Sequence, residues 1–122
     1  MKTYLDKIKD VYDMSAKGQL LDAFEKYYHN DVVMVEATGE TRTGKEANRK
    51  FQKEFMSGVK EFHGMGVKSV ASNEDDKTTM IESWMDATMA DGNRMKMEEV
   101  AVQKWSGDHI IHERFYYNAA KP

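Results

Sequence analysis

Acidic residues occur in this sequence where a strand ends or runs beside aromatic residues, and such carboxyl groups could transfer protons. Glu36 closes the apolar run Val32–Val35 just before a turn, and Glu113 precedes Phe115 on a later predicted strand. A carboxyl group removed from water binds its proton more tightly, which suits general acid–base work. Glu36 and Glu113 are therefore candidate catalytic acids, with a structural or solvated role as the alternative for each.

Two other patterns do not support a chemical site. The segment Gly39–Glu46 nearly matches the phosphate loop G-x-x-x-x-G-K-[ST], but Glu46 replaces the hydroxyl residue that would hold Mg²⁺. This segment therefore favours helix capping over nucleotide binding. His109 and His112 lie three apart on a predicted strand and point to opposite faces, so no metal site is predicted.

The composition predicts one globular domain, residues 1–122, and excludes several classes of partner. A net charge of −3 argues against nucleic acid and anionic membranes. The N-terminus is charged throughout, unlike a signal peptide, and no apolar run approaches the ~20 residues of a membrane span. The chain has no Cys, so disulfides and thiolate metal sites are excluded and a cytoplasmic location is expected.

The periodicity of apolar residues predicts helices in the first half of the chain and strands in the second. Helices are predicted over 3–18, 20–28 and 44–57. The basic stretch at the third helix is interpreted as a solvated helix face; it consists of Arg42, Lys45, Arg49, Lys50 and Lys53. Strands are predicted over 32–36, 62–70, 79–90, 94–105 and 109–117. This order is typical of an α+β domain with helices on one face of a curved sheet.

The lengths of two turns decide which side chains share a face of the sheet. A two-residue turn at Asp91–Gly92 and a three-residue turn at Ser106–Asp108 agree on one common face. A two-residue last turn would break that agreement. The common face carries Glu82, Trp84, Asp86, Thr88, Met97, Glu99, Ala101, Gln103, Trp105, Ile111, Glu113, Phe115 and Tyr117.

We interpret this common face, which holds both Trp residues, as the lining of a pocket. The candidate ligand-binding residues are Trp84, Asp86, Glu99, Gln103, Phe115 and Tyr117, with His63 near the pocket. The alternative is that the acids are solvated and that the opposite face, rich in Met and Val, forms the core.

The order of the elements and four segments carry a resemblance to a known family. The segments are YHNDVVMVEATG, TGKEANRKF, MIESWMDATMADG and GDHIIHERFYYN. They resemble the SnoaL-like polyketide cyclase and ketosteroid isomerase group of the nuclear transport factor 2-like superfamily. The resemblance spans essentially the whole chain. It implies a cone of curved antiparallel sheet with a mixed edge, wrapped around three helices from the N-terminal half, with a deep apolar pocket.

The resemblance also implies roles for particular residues. Glu36 matches the place of the proton-shuttling acid of ketosteroid isomerases, and Tyr12 falls near that of their oxyanion-hole tyrosine. Ala101 stands where those enzymes have a protonated acid, and no His occupies the place where SnoaL-like cyclases have one. Glu113 or Phe115 holds the place of the cyclases' last-strand Asp. These departures argue against steroid isomerisation.

The function implied is the binding of an apolar or aromatic small molecule. Isomerase- or cyclase-type proton transfer by Glu36, Glu113 and Tyr12 would accompany it, without metal or organic cofactor. The alternative is a non-catalytic ligand-binding or dimeric interaction module. A homodimer through the outer sheet face is also expected, because that face would carry the apolar residues Met85, Ala87, Val100, Val102 and Tyr116.

Overall fold

The computed structural model describes residues 2–118, which form three helices and one six-stranded sheet. The helices are α1 (Tyr4–Ala16), α2 (Leu20–Tyr27) and α3 (Lys45–Ser57). The strands are β1 (Tyr28–Val35), β2 (Thr41–Thr43), β3 (Val59–Asn73), β4 (Thr78–Met89), β5 (Arg94–Ser106) and β6 (His109–Tyr116). The strand order is β2-β1-β6-β5-β4-β3; β1 and β6 pair in parallel, and the other four neighbouring pairs are antiparallel. This is the predicted α+β arrangement with a mixed sheet.

The first helix begins and ends where the sequence predicts. Asp6 N–H donates to the Thr3 hydroxyl at 3.1 Å, and Thr3 N–H donates to the Asp6 carboxylate at 3.1 Å, so the two residues form a capping box. Gly18, at φ 82°, adopts the left-handed conformation that ends the helical run. All three helices between residues 2 and 118 are too short and too polar to span a bilayer.

The first strand is longer than predicted. It begins at Tyr28, four residues before Val32, so His29–Asp31 lie in the strand instead of ending α2. Tyr28 pairs with Ile110 of β6, and the register shifts before Val33. The polar side chains of 29–31 are half-buried or exposed, which removes the apolar signal that marks the rest of the strand.

The hairpin between β4 and β5 has a three-residue turn, so the predicted two-residue turn is wrong. Met89 N–H donates to the Asn93 carbonyl at 2.8 Å, and Gly92 closes the turn at φ 91°. A three-residue hairpin loop commonly ends in such a left-handed residue. Glu99 therefore pairs with Ser83, whereas the two-residue turn would pair it with Trp84.

This one-residue difference exchanges the two faces of β4, because side chains alternate along a strand. The outer face of the sheet, away from the helices, carries Glu82, Trp84, Asp86 and Thr88, which were predicted to line the pocket. The inner face carries Ile81, Ser83, Met85 and Ala87.

Strand β5 keeps the predicted faces, and β6 keeps them from His112 onwards, although their turn is also different. Before that point Ile110, and not the predicted Ile111, lies opposite Trp105 in the core. Gly107–Asp108 forms a two-residue turn, but the register shifts between Lys104 and Trp105. This bulge restores the predicted alternation, because an extra residue on one strand compensates for the shorter turn. Gln103 rather than Ala101 now lies opposite Glu113.

The core lies between the inner face of the sheet and helices α1 and α2. Its buried members are Ile8, Val11, Ala23, Phe24, Tyr27, Tyr28, Val32, Met34, Ile81, Ala101, Trp105 and Ile110. Of the apolar residues predicted for the outer face, Met85 and Ala87 lie on the inner face. Val100, Val102 and Tyr116 lie on the outer face as predicted.

Candidate functional site

A cavity of about 620 Å³ opens between the inner face of the sheet and the helices. Seven of the residues predicted for the site line it: Tyr12, Glu36, Trp84, Glu99, Glu113, Phe115 and Tyr117. Phe51, Phe55 and Met56 from α3 form part of the remaining wall, together with Met34 and Met97. The cavity is therefore mostly apolar, with a few polar groups set into its wall.

Glu113 is buried at the wall of the cavity, with 1 % of its surface exposed. The Tyr28 hydroxyl donates to its Oε1 at 2.6 Å, and Gln103 Nε2 donates to its Oε2 at 2.7 Å. Burial raises the pKa of Glu113 to about 7, and these two hydrogen bonds favour the charged form and limit the rise. Glu113 can therefore gain or lose a proton near neutral pH.

Behind Glu113 lies a chain of buried hydrogen bonds that runs in one direction. Trp105 Nε1 donates to the Thr79 hydroxyl at 3.0 Å, and that hydroxyl donates to Gln103 Oε1 at 2.7 Å. An indole N–H can only donate, so Thr79 must use its own proton towards Gln103. The amide of Gln103 then presents its NH₂ group to Glu113. We call Trp105, Thr79, Gln103 and Glu113 the buried chain.

Glu99 lies on the inner face of β5, opposite Ser83, and is largely buried in the cavity wall. Its burial raises its pKa to about 7, and the charges of Glu113 and Glu36 act in the same direction. Within residues 2–118, no hydrogen bond or ion pair reaches its carboxyl group. It differs in this respect from Glu113.

Tyr12 of α1 reaches the same part of the cavity and has the Ser83 hydroxyl as a neighbour. Burial, together with the charges of Glu113 and Glu99, raises the pKa of Tyr12 well above its usual value. The phenol therefore stays neutral and can donate a hydrogen bond at physiological pH. Burial raises the pKa of Tyr28 in the same way.

Glu36 forms an ion pair with Arg42 Nη2 at another part of the cavity wall, and both side chains are close to buried. The Tyr117 hydroxyl donates to Glu36 Oε1 at 2.8 Å. The Arg42 guanidinium also lies 3.5 Å from the centre of the Phe51 ring. Glu36 therefore has a cation and a hydroxyl donor as partners within the cavity wall.

Arg42 lies in the cavity wall and not, as the sequence predicted, on a solvated helix face. The structure places Arg42 on β2, where it pairs with Met34 across a tight turn at 37–39. Glu36 is two residues beyond Met34 on the same face, and diagonal neighbours in a sheet are within reach of long side chains. Met34, Glu36 and Arg42 are separated by even numbers of residues, and a hairpin turn between Glu36 and Arg42 would place all three on one face. This pattern is the signal that could have revealed the pair.

Three residues predicted to bind a ligand lie outside the cavity wall. Asp86 accepts two hydrogen bonds from Arg94, at 3.0 and 2.8 Å, on the outer face. His63 Nε2 lies 2.7 Å from the Thr88 hydroxyl, also on the outer face. Gln103 stands behind Glu113 in the buried chain.

Trp84 borders the cavity from the outer face instead of standing inside it. Its ring covers Gly64 and Gly66, and a Cβ at position 66 would lie 2.7 Å from Trp84 Nε1. Glycine at 66 therefore allows the ring to lie flat on β3. The ring is 39 % exposed.

The described part of the chain offers little to a metal or a nucleotide. Between residues 2 and 118, no three His, Asp or Glu residues are grouped to hold a metal ion. Lys45, the lysine of the segment that resembles a phosphate loop, donates to the Glu25 carbonyl at 3.0 Å.

Three helices and a mixed sheet around an apolar cavity are the features of the nuclear transport factor 2-like class, and comparisons with known proteins agree. The family model of the SnoaL-like domain matches residues 3–117. The chain therefore belongs to the SnoaL-like domain family. Comparison with curated proteins finds no match.

Solved structures with this fold include two candidate polyketide cyclases. The chain is 29 % identical to a candidate SnoaL-like polyketide cyclase from Mesorhizobium loti, with 95 % of this chain and 100 % of the other covered and a TM-score of 0.82. A candidate polyketide cyclase from Pseudomonas putida is 17 % identical, with 98 % and 94 % covered and a TM-score of 0.81.

A third solved structure contains a small organic molecule. It is a protein from Catenulispora acidiphila with a ketosteroid isomerase-like fold, in complex with trimethylamine. It is 15 % identical, with 92 % of this chain and 85 % of the other covered and a TM-score of 0.75. The structures from Pseudomonas putida and Catenulispora acidiphila are less than 25 % identical to this chain, so they support the fold alone.

Proposed function

We propose that the cavity binds an apolar or aromatic small molecule and that Glu113 transfers a proton to or from it. The size and apolar wall of the cavity suit such a ligand, because small-molecule sites are concave and mostly apolar with a few placed polar groups. The Catenulispora structure supports binding in this fold, since it holds trimethylamine. Neither a metal nor an organic cofactor enters this proposal.

The observation that carries the proposal is the buried Glu113 at the cavity wall, whose pKa is about 7. An acid–base group is most effective when its pKa is near the working pH. Glu113 lines the cavity and has both oxygens held by protein donors, so the position of its carboxyl group is fixed. The neutral Tyr12 phenol can donate to a ligand oxygen that becomes negative when a neighbouring carbon loses its proton.

Glu36 keeps a place in the proposal, although not as the first choice for the proton carrier. It lines the cavity and forms an ion pair with Arg42. We propose that Glu36 has two roles. It orients the Tyr117 hydroxyl, and its negative charge helps to raise the pKa of Glu113.

Exchange of carbon-bound protons tests the proposal without knowledge of the natural substrate. The probe is 2-tetralone in deuterated buffer near neutral pH, and NMR measures the loss of its α-protons. The wild-type protein should accelerate this exchange, and Glu113→Gln should reduce the acceleration by ~10²–10⁴-fold, the usual contribution of a general base. Glu82→Gln, on the outer face, is the matched control and should retain it.

Binding without catalysis would give a different pattern. If 2-tetralone binds in calorimetry but its exchange is not accelerated, the chain is a non-catalytic ligand-binding module. If neither 2-tetralone nor other apolar aromatic probes bind up to their solubility limits, the cavity is not a ligand site and the proposal is wrong.

We also propose that two copies of the chain associate through the outer sheet face. Exposed apolar side chains on that face support this, among them Met80 (49 %), Trp84 (39 %) and Tyr116 (50 %). Sedimentation at micromolar concentration should give twice the 14.1 kDa chain mass, and Tyr116→Glu should shift the protein to monomer. A wild-type monomer under these conditions would contradict the proposal.

A further inference from the structure

The acidic groups of the cavity differ in how far the protein itself satisfies them. Glu36 faces Arg42 and Tyr117, and Glu113 receives hydrogen bonds from Tyr28 and Gln103. Glu99 is the exception, because residues 2–118 give its carboxyl group neither a donor nor a cation. A largely buried carboxylate without such partners is unfavourable, and a ligand that brings one would remove that cost.

The acidic groups that line the cavity outnumber the basic groups by one. Three carboxyl groups face it, Glu36, Glu99 and Glu113, and two cations line it. Arg42 uses Nη2 for its ion pair with Glu36 and leaves Nη1 without a hydrogen-bond partner in the described part of the chain, and Lys60 is an exposed residue of β3 at the margin. The ionised pair Glu99 and Glu113 therefore has no cation of its own between residues 2 and 118.

Aromatic rings stand close to Glu99. Phe115 is its diagonal neighbour on β6, since Ala101 pairs with Phe115, and Tyr12 is near enough for the charge of Glu99 to raise its pKa. Faces of aromatic rings attract cations, and they also pack against the apolar part of a ligand. A carboxylate without a partner beside such rings is the arrangement that binds a substituted ammonium group.

We infer that the cavity selects a protonated amine carried on an apolar or aromatic body, with the Glu99 carboxylate as the partner of the ammonium group. This inference rests on the proposed function, because it specifies the ligand class of the same cavity. Glu99 is a binding residue in this assignment, and the role of Glu113 is unchanged.

The ionisation of the wall predicts how this preference depends on pH. The pKa of Glu99 is about 7, so its carboxylate becomes available as the pH rises through neutrality, while a benzylic-type amine stays protonated. Glu113 titrates in the same range. Tyr12, Tyr28 and Tyr117 have raised pKa values and stay neutral. The preference for an amine should therefore increase from pH 5.5 to pH 8.5.

The test compares two probes of nearly equal shape, 2-naphthylmethylamine and 2-naphthalenemethanol, by calorimetry at pH 8. The wild-type protein should bind the amine ~10–100-fold more tightly, as expected for a hydrogen bond between charged groups. Glu99→Gln should reduce this ratio to near one and leave the affinity for the alcohol unchanged. Glu98→Gln is the matched control, because Glu98 is the adjacent residue on the outer face and pairs with Lys68; it should preserve the ratio.

Each outcome separates this inference from the proposed function. Equal binding of amine and alcohol by the wild-type protein would overturn the ammonium assignment and leave the ligand cavity standing. Binding of neither probe would overturn both. An amine preference that survives Glu99→Gln would show that another group holds the ammonium. The pH series of the wild-type protein needs no substitution, and a preference that stays flat or falls between pH 5.5 and pH 8.5 would also overturn the assignment.

Discussion

The two faces of the same sheet treat their charged groups in opposite ways. On the outer face, Asp86 pairs with Arg94, whose hydrogen bonds lower the pKa of Asp86, and the Arg94 side chain is largely exposed. On the inner face, burial raises the pKa of Glu99 and Glu113 to about 7. Glu98 and Glu99 are neighbours in sequence and still belong to these two different environments. Alternation along one strand is enough to make one acid an ordinary surface group and the next a cavity group.

This difference implies that equivalent substitutions on the two faces should have very different effects. A charge or hydrogen bond exposed to water is replaced by water when its partner is removed, whereas a buried partner is left unsatisfied. The following predictions use matched pairs of residues from the two faces, in order of decreasing effect.

The largest difference is expected between Arg42 and Arg94. Arg42→Met leaves Glu36 charged and nearly buried without its cation, so the free energy of unfolding should fall by about 3–5 kcal/mol. Arg94→Met should cost much less, because the Arg94 side chain is largely exposed and its ion pair is therefore screened by water. Urea denaturation measures both. Adding Glu36→Gln to Arg42→Met should recover part of the loss, and a lack of recovery would mean that Arg42 acts mainly through its packing on Phe51.

A slightly smaller effect is expected when the buried chain is cut. Gln103→Leu removes the donor to Glu113 and the acceptor of Thr79 at once, and both remaining groups are buried. The free energy of unfolding should fall by about 2–4 kcal/mol. Lys104→Leu, the adjacent residue with an exposed side chain, should change it little. Equal effects of the two substitutions in denaturation experiments would contradict the importance of the buried chain.

The raised pKa values predict how stability depends on pH. Below the usual Glu value of 4.5, folded and unfolded chains both hold these protons. Between 4.5 and about 7, only the folded chain keeps them, so stability should fall as the pH rises through this window. From pH 6 to pH 8 the loss should be about 2–3 kcal/mol for Glu99 and Glu113 together. Replacing both by Gln should flatten the profile, and a wild-type stability that rises over this range would refute the prediction.

The smallest of the four differences separates the two tryptophans. Trp105→Phe removes the donor to the Thr79 hydroxyl, which then keeps only its hydrogen bond to Gln103, so the free energy of unfolding should fall by about 1–2 kcal/mol. Trp84→Phe keeps an aromatic ring over Gly64 and Gly66 in a partly exposed place and should cost less. Thermal unfolding followed by circular dichroism would compare them, and a larger loss for Trp84→Phe would reverse the assignment.

Much of the fold could be predicted from the sequence because its signals are local. The capping box of Thr3 and Asp6 and the glycine at 18 bound the first helix, and apolar alternation marks β4, β5 and β6. The start of β1 was missed because its first residues are polar. That strand is held by parallel pairing with β6, a contact between distant parts of the chain that no local pattern reports.

The site was predicted only in part, and turn geometry is the physical reason. Glu99 and Glu113 were correctly predicted to share one face of the sheet. The extra residue of β6 opposite Lys104 and Trp105 compensated for the different last turn. No compensation followed the turn at 90–92, so Trp84 and Asp86 were assigned to the wrong face. Arg42 was missed because its ion pair depends on the path of the chain around the turn at 37–39.

The buried indole group at the start of the buried chain can report how often the interior of the protein opens to solvent. The indole proton of Trp105 is buried and bonded to Thr79, so it can exchange with solvent deuterium only when β4 and β5 separate or the chain unfolds. The indole group of Trp84 lies at the surface over glycine and should exchange within the dead time of the experiment. The exchange rate of the Trp84 indole proton thus reports contact with solvent, whereas that of Trp105 reports how often the interior of the sheet opens.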